Sequence, residues 1–503
     1  MNRTKKFMYN SIATAIYQII VMLVGFVTPR ILLQFYGSEM NGLVSSINQF
    51  ITYFSLVEAG IAGAAVYSLY KPLADKDKEE ISAIVSAARK FYIQAGWIFT
   101  ILVIGMAIIY PIFVETSNLS FFTEMILVIV LGAKGFLEFF TLSKYRVILT
   151  ADQKTYIISN ASSVYIVLQM IIIVVLSFLR VNITIVYSVA ILALFARSFI
   201  LMVYVRKHYK YIKYDAEPNV KALDKRWDAL FLQILQTVQT GAPVIIATIF
   251  TSLQDVSIYT VFNMVFVGIN GVLNIFVNGL SAGFGDVIIR KQTETLQETY
   301  EEFEYSYYII ITIVYSVTAI MIMPFISVYT FGINDANYNQ PLLGFLFTLN
   351  GLLYNLKTPQ GMLVISAGLY KETRVQTSIQ ALIIIVGGIV LAPSLGLVGI
   401  LIASCLSNLY RDIDLLFFIP KNVTKLPVKK TFYRMVLVGI LTVVIYLPFI
   451  LFFDIVSNSY IQWILQAIVV TLYATCITVI INYILDKKQF KLVLERIKKM
   501  VKK

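Results

Sequence analysis

Four basic side chains, Lys134, Arg197, Lys357 and Arg411, fall inside long apolar runs of the sequence. A cation in hydrocarbon costs roughly 2.5–3.5 kcal/mol or more unless it is paired or wetted, so embedded cations usually mark a ligand path. Their common sign favours an anionic ligand. Lys134 has Glu138 four residues on, a spacing that puts both on one helix face, so an ion pair within the helix stands beside ligand contact. Arg411 is flanked by Asp412 and Asp414 and carries the same two readings. Arg197 and Lys357 have no acid within a turn and are the leading candidates. Glu58 is an embedded acid without a basic neighbour in its own span. It is the candidate for proton or sodium binding, and pairing with a cation of another helix, such as Arg197 or Lys134, is the alternative. Asn270, Asn274 and Asn278 follow one another at i, i+4, i+8 and share a helix face. A row of amides against lipid is unfavourable, so the stripe faces either a hydroxylated ligand or a neighbouring helix.

The elements that position these residues are membrane spans. The 503 residues are 58% hydrophobic and only 14% charged, about half the usual ~25% charged fraction, and the mean hydropathy is +0.79. This is the composition of an all-α integral membrane protein. The net charge of +13 does not point to nucleic acid, because the basic residues sit in short loops between apolar runs, where insertion and anionic headgroups account for them. Cys405 and Cys476 both lie in apolar runs and read as small core residues, and His208 is the single histidine, which excludes a multi-histidine metal site. No GxxxxGK[ST] loop is present, so nucleotide hydrolysis is not expected. The chain reads as a non-enzyme without a cofactor, leaving proton or sodium coupling open.

Spans are expected at about 9–33, 40–70, 91–114, 122–149, 155–179, 183–205, 229–252, 256–289, 304–331, 341–366, 373–392, 396–419, 432–453 and 460–485, fourteen in all. The first shows no cleavage signal and reads as a retained helix. Lys and Arg concentrate in alternate loops and in both termini, while the opposite loops hold only Arg30 and Arg180, which places both termini in the cytoplasm. Short similarities recur in order. Gly60–Ala64 resembles Gly279–Gly283, Lys71 matches Arg290, Thr150-Ala151 resembles Ser366-Ala367, and Arg197 falls near Arg411. The pattern predicts two parallel six-helix lobes, 1–205 and 229–420, joined by a linker at 206–228, with two further helices in 421–485. The linker reads equally as an inter-lobe helix or a solvated basic loop. The tail 486–503 carries Phe490, Leu494, Ile497 and Val501 on one stripe among lysines, as in a helix lying on the inner leaflet.

The six plus six plus two arrangement, with YGSEMNGL at Tyr36–Leu43, the Glu58-Ala-Gly-Ile turn and the KPLADKD loop at Lys71–Asp77, resembles the Wzx-type oligosaccharide flippases, polysaccharide transporters of the multidrug/oligosaccharidyl-lipid/polysaccharide exporter superfamily. The resemblance implies a V-shaped two-lobe transporter. It would turn undecaprenyl-diphosphate-linked oligosaccharide from the inner to the outer leaflet of a bacterial cytoplasmic membrane by alternating access, for surface polysaccharide assembly. Membrane lipids, a polysaccharide polymerase and other assembly proteins are the implied partners. A carrier of such a lipid needs cations for the diphosphate, and Arg197 and Lys357, then Lys134 and Arg411, are the candidates, with Arg30 at the outer mouth. Asn270, Asn274 and Asn278 would meet the sugar. A lipid-linked peptidoglycan precursor flippase fits the same anion logic. A drug/cation antiporter of the superfamily fits less well, because neither the first nor the seventh span holds an Asp or Glu. A membrane glycosyl- or acyltransferase lacks its usual acidic pair or His-Asp cluster.

Overall fold

A computed structural model describes residues 3–114, 116–220, 226–453 and 455–501; the side chains of residues 3–5, 7, 226–232, 276, 278, 279, 282 and 496–501 lie outside that description. Among the described residues the chain is helical, with no strand. It divides into two compact units, Met1–Thr260 and Val261–Lys503.

The first unit begins with α1, Arg3–Phe54, a 52-residue element bent at Gly37 (φ 82, ψ 174). The loop expected between the first two spans is therefore a single residue, in a conformation glycine reaches at no steric cost. The surrounding YGSEMNGL residues anchor that joint. The Tyr36 hydroxyl donates to the Val181 carbonyl at 2.7 Å, and the Glu39 carboxylate accepts from Ser117 N–H at 2.7 Å and Asn118 Nδ2 at 2.8 Å. Asn41 Nδ2 donates to Ser257 Oγ at 2.7 Å. A 3-10 turn, Ser55–Glu58, ends the helical path. Ala59 is extended, and Gly60 at φ 83 starts α2, Ile61–Asp75. The second expected span is thus two helices with a break beside Glu58.

Next, α3 runs over Lys78–Phe113, opened by Asp77, whose side chain accepts from the N–H groups of Glu79 and Glu80. It starts well before the expected 91, because a capped polar segment continues the apolar helix beyond the hydrocarbon. α4, Phe121–Leu137, passes into a π turn, Glu138–Leu142, and then α5, Ser143–Ala151. Gly132 and Gly135 bring α3 and α4 together; a Cβ on Gly135 would lie 2.3 Å from the Phe99 ring. Then follow α6, Thr155–Phe178, α7, Ile183–Ala190, α8, Leu192–His208, α9, Arg226–Phe250, and α10, Leu253–Ile289, within which the two units divide. Residues 221–225 of the expected linker lie outside the described residues.

The second unit continues with α11, Thr293–Tyr329, α12, Pro341–Leu356, and α13, Thr358–Ser366. Pro359 lacks the N–H that would continue the helix, and the Tyr308 hydroxyl donates to the Leu356 carbonyl at 3.0 Å. α14, Arg374–Leu395, and α15, Leu397–Ile419, pack closely; a Cβ on Gly399 would lie 2.5 Å from the Leu391 carbonyl oxygen. α16, Val428–Leu451, and α17, Tyr460–Leu485, lie on α11 through Ile320, Met321, Ile445, Val470 and Ala474. α18, Lys487–Val501, forms the basic tail helix; the side chains of Ile497 and Val501 from its expected stripe lie outside the described residues.

Eleven helices among the described residues are long and apolar enough to cross a membrane, and the chain is a multi-pass membrane protein. The figure differs from the fourteen expected spans for physical reasons. α1 and α2 run on through Gly37 as one stretch, the break at Lys357 shortens α12, and Arg411, Asp412 and Asp414 load α15 with charge. Cys405 is buried as expected, whereas Cys476 is exposed on α17 rather than packed in the core.

Candidate functional site

In the first unit the embedded charges gather around Glu138, where the π turn begins. Glu138 Oε1 lies 2.5 Å from Arg146 Nη1 and 3.5 Å from Arg197 Nη2. The π turn explains the first of these pairs. Eight residues on a straight α-helix rotate the second side chain ~80° off the face of the first, but one inserted residue makes the pair equivalent to i, i+7, on one face. No signal in the sequence marks that insertion, and Arg146 falls near the end of the expected span 122–149 without a partner to name. Ser198 Oγ on α8 donates to Thr141 Oγ1 of the π turn at 3.4 Å, tying α8 to it.

The i, i+4 pair of Lys134 with Glu138 is not among the salt bridges of the described residues. The Lys134 ammonium lies 5.8 Å from the centre of the Tyr165 ring and is exposed. Its charge still acts on Glu138. Glu58, at the end of the 3-10 turn, lies within electrostatic reach of Arg146, Glu138 and Arg197. Its nearest charged company is thus the cluster on α5, α8 and the π turn. Arg30 is half-buried on α1.

In the second unit Lys357 sits at the break between α12 and α13 and is 9% exposed. Its ammonium donates to Asn408 Oδ1 and lies 5.0 Å from the centre of the Tyr354 ring. Asn408 Nδ2 donates in turn to Asn350 Oδ1 at 2.8 Å. Asp412 is within electrostatic reach of Lys357 without a salt bridge to it. Arg411 instead binds Asp414 at 2.5 Å along α15, so the local pairing open in the sequence is what the structure holds.

Asn270 accepts from Asn355 Nδ2 at 2.8 Å, and Asn355 Oδ1 accepts from the Tyr307 hydroxyl at 2.7 Å. Its amide therefore joins α10 to α12 and α11. Asn274 is exposed, and the Asn278 side chain lies outside the described residues. Sequence reasoning also missed Arg434 and Glu304. They form a buried pair at 2.8 Å, 6% and 2% exposed, between α16 and α11. The Tyr300 and Thr431 hydroxyls donate to the same carboxylate at 3.0 and 2.9 Å.

The helices follow the fold of solved transporters of the MOP superfamily. Among solved structures the chain is similar to a lipid II flippase, MurJ, in an inward closed conformation, with a TM-score of 0.69 and 16% identity over 94% of this chain and 98% of that one. It is similar to an inward-facing multidrug resistance MATE family transporter of the MOP superfamily, with a TM-score of 0.63 and 13% identity over 85% and 99%. A third is a MOP-superfamily transporter from Pyrococcus furiosus described by the reverse polarity of its binding pocket, with a TM-score of 0.59 and 14% identity over 87% and 97%. No protein-family model matches the sequence, and no curated protein matches it.

Proposed function

We propose that this chain is a flippase. It carries a polyprenyl-diphosphate-linked oligosaccharide from the inner to the outer leaflet of a bacterial cytoplasmic membrane, by alternating access through a cationic central cleft, with its six-helix lobes joined at 206–228 and both termini cytoplasmic. It does no covalent chemistry, and a surface-polysaccharide polymerase receives its product. The observation that carries the reading is the coincidence of embedded charge with helix defects. Glu58 ends a 3-10 turn, Glu138 opens a π turn and Lys357 stands at the α12–α13 break. Irregular backbone at membrane depth is tolerated only inside protein or along a wet cavity, and broken helices with charged groups are how transporters build such sites. The cations of this set, Arg146, Arg197, Lys134 and Lys357, suit a diphosphate, and Glu58 suits a coupling proton or sodium ion.

A second reading, transport of a lipid-linked peptidoglycan precursor, is favoured by the likeness to the lipid II flippase MurJ. Both substrates share the polyprenyl diphosphate and differ in the peptide. The test is flipping in proteoliposomes of fluorescent polyprenyl-diphosphate lipids bearing either an oligosaccharide alone or a sugar with a pentapeptide, with an organic cation as control, for the parent and Glu58→Gln. Flipping of the oligosaccharide lipid, abolished in Glu58→Gln when the ion gradient is the drive, supports the proposal. Flipping of the peptide-bearing lipid alone moves the assignment to the second reading. Exchange of the organic cation without lipid flipping overturns both.

A further inference from the structure

The end of the first unit that carries the start of α1 holds a second group of cations, separate from the Glu138 cluster. After α8 the chain is strapped along the first turns of α3. The Ser86 hydroxyl donates to the Ala216 carbonyl at 2.7 Å, Arg89 Nη1 donates to the Tyr214 carbonyl at 3.1 Å, and the Asn219 N–H donates to the Ala83 carbonyl at 3.3 Å. This strap lays the Tyr214 ring edge-on to Tyr145 of α5, with centres 6.2 Å apart. The Lys144 ammonium lies 5.1 Å from one ring centre and 5.3 Å from the other. Arg89 and Arg206, the latter in the last turn of α8, are the charges that act on Lys144 and on both rings.

Three cations therefore converge from α3, α5 and α8, and none of them forms a salt bridge among the described residues. Mutual repulsion disfavours such a group unless an anion joins it. The Tyr214 hydroxyl is buried there with no hydrogen-bond partner among the described residues, an unfavourable state that calls for an explanation. Burial pushes this phenol well above its ordinary value, so it remains a proton donor at any physiological pH. Lys144 stands eight residues, or about 12 Å of helix, from the turn at Asp152, towards the end of the Phe121–Ala151 span.

We propose that Arg89, Lys144, Arg206 and the Tyr214 hydroxyl form a phosphate-binding site at this end of the first unit, taking the phosphate head of a membrane lipid. The guanidinium groups supply forked donors, the lysine a point charge between two rings, and the phenol a fourth donor. The proposal rests on the flippase reading only in naming the transported polyprenyl diphosphate as the first ligand to try; a resident phospholipid presents the same chemistry.

The test is equilibrium binding to the purified full chain, without transport, of polyprenyl diphosphate, phosphatidylglycerol and neutral polyprenol, for the parent, K144Q/R206Q, K144R and Y214F. K144Q/R206Q should lose about tenfold or more affinity for the phosphate ligand per cation removed. K144R should keep most of it, Y214F should fall a few-fold, and polyprenol binding should not change. Loss confined to polyprenyl diphosphate makes the site a substrate site, and loss confined to phosphatidylglycerol makes it a phospholipid site. Unchanged binding of both by K144Q/R206Q of parental melting temperature overturns the proposal, as does an equal loss of polyprenol. Phosphate binding that depends on these residues in a protein that flips no lipid would leave the site standing and remove the flippase reading.

Discussion

The two units place ionisable groups at helix defects and neutralise them differently. In the first, the single carboxylate of Glu138 faces two arginines, so about half of their positive charge is answered inside the protein. In the second, Lys357 is met by the amide oxygen of Asn408, and its nearest carboxylate, Asp412, forms no salt bridge with it. An amide satisfies an ammonium donor without cancelling its charge, whereas a carboxylate does both. The charge of Lys357 is therefore the more available to an anionic substrate. The Glu138 cluster is the more self-sufficient, and its arginines offer an anion less free charge while that acid stays in place.

Removing Lys357 should have the largest effect. Lys357→Ala is expected to lower lipid flipping about thirtyfold or more, the loss of a desolvated charge contact, and Arg197→Ala should lower it several times less. Flipping rates at matched reconstitution decide this, and a larger loss in Arg197→Ala would reverse the ranking. Glu138→Gln should act in the opposite sense. It leaves the half-buried Arg146 and the buried Arg197 without their counter-charge, so thermal stability should fall by about 1–3 kcal/mol while affinity for pyrophosphate rises. Melting curves with and without pyrophosphate check it, and an unchanged affinity would show that these arginines do not face the substrate path.

The smallest effect belongs to a four-residue group outside the spanning segments. Asp152 accepts from Lys6 Nζ and lies 2.9 Å from Lys154 Nζ and 2.5 Å from the Tyr209 hydroxyl. Burial alone would raise this carboxyl, but the hydrogen bonds from Tyr209, Lys154 and Lys6 hold it below its ordinary 3.8. A depressed carboxyl contributes its full stability above the unfolded value and loses it as pH falls through the folded one. The link from α1 to the Asp152 turn should thus be indifferent to pH from 8 to 5 and weaken only below about 3.8. A spin-label distance between Met8→Cys and Tyr156→Cys reads this directly. Opening between pH 7 and 5 in the parent would contradict it, and Asp152→Asn should loosen the link at every pH.

The helical membrane fold was legible because apolar length and loop charge are first-order features of the sequence. Lys357 was legible for the same reason, as a cation in an apolar run beside a proline. Arg146 was not, since one extra residue in a π turn changes which side chains share a face and leaves no compositional trace. Arg434 and Glu304 were not legible either. Both stand at the very start of an expected span, 304–331 and 432–453, and nothing in the sequence pairs those two edges, whereas in the structure α11 and α16 begin earlier and bring the two charges together inside the protein. The YGSEMNGL stretch reads as a family signature, and in the structure its polar side chains hold a joint and its neighbouring loops.

That buried pair of Glu304 and Arg434 has a mechanical consequence. Together with the Trp463 indole, which donates to the Met321 carbonyl at 3.1 Å, it fastens the α16–α17 pair to α11 at two heights. The last two spanning helices are therefore passengers of α11, and breaking the fastening costs roughly 3–5 kcal/mol. On the proposed flipping cycle, a fluorophore on the exposed side of α17 would report the displacement of α11 while touching nothing that α11 itself uses.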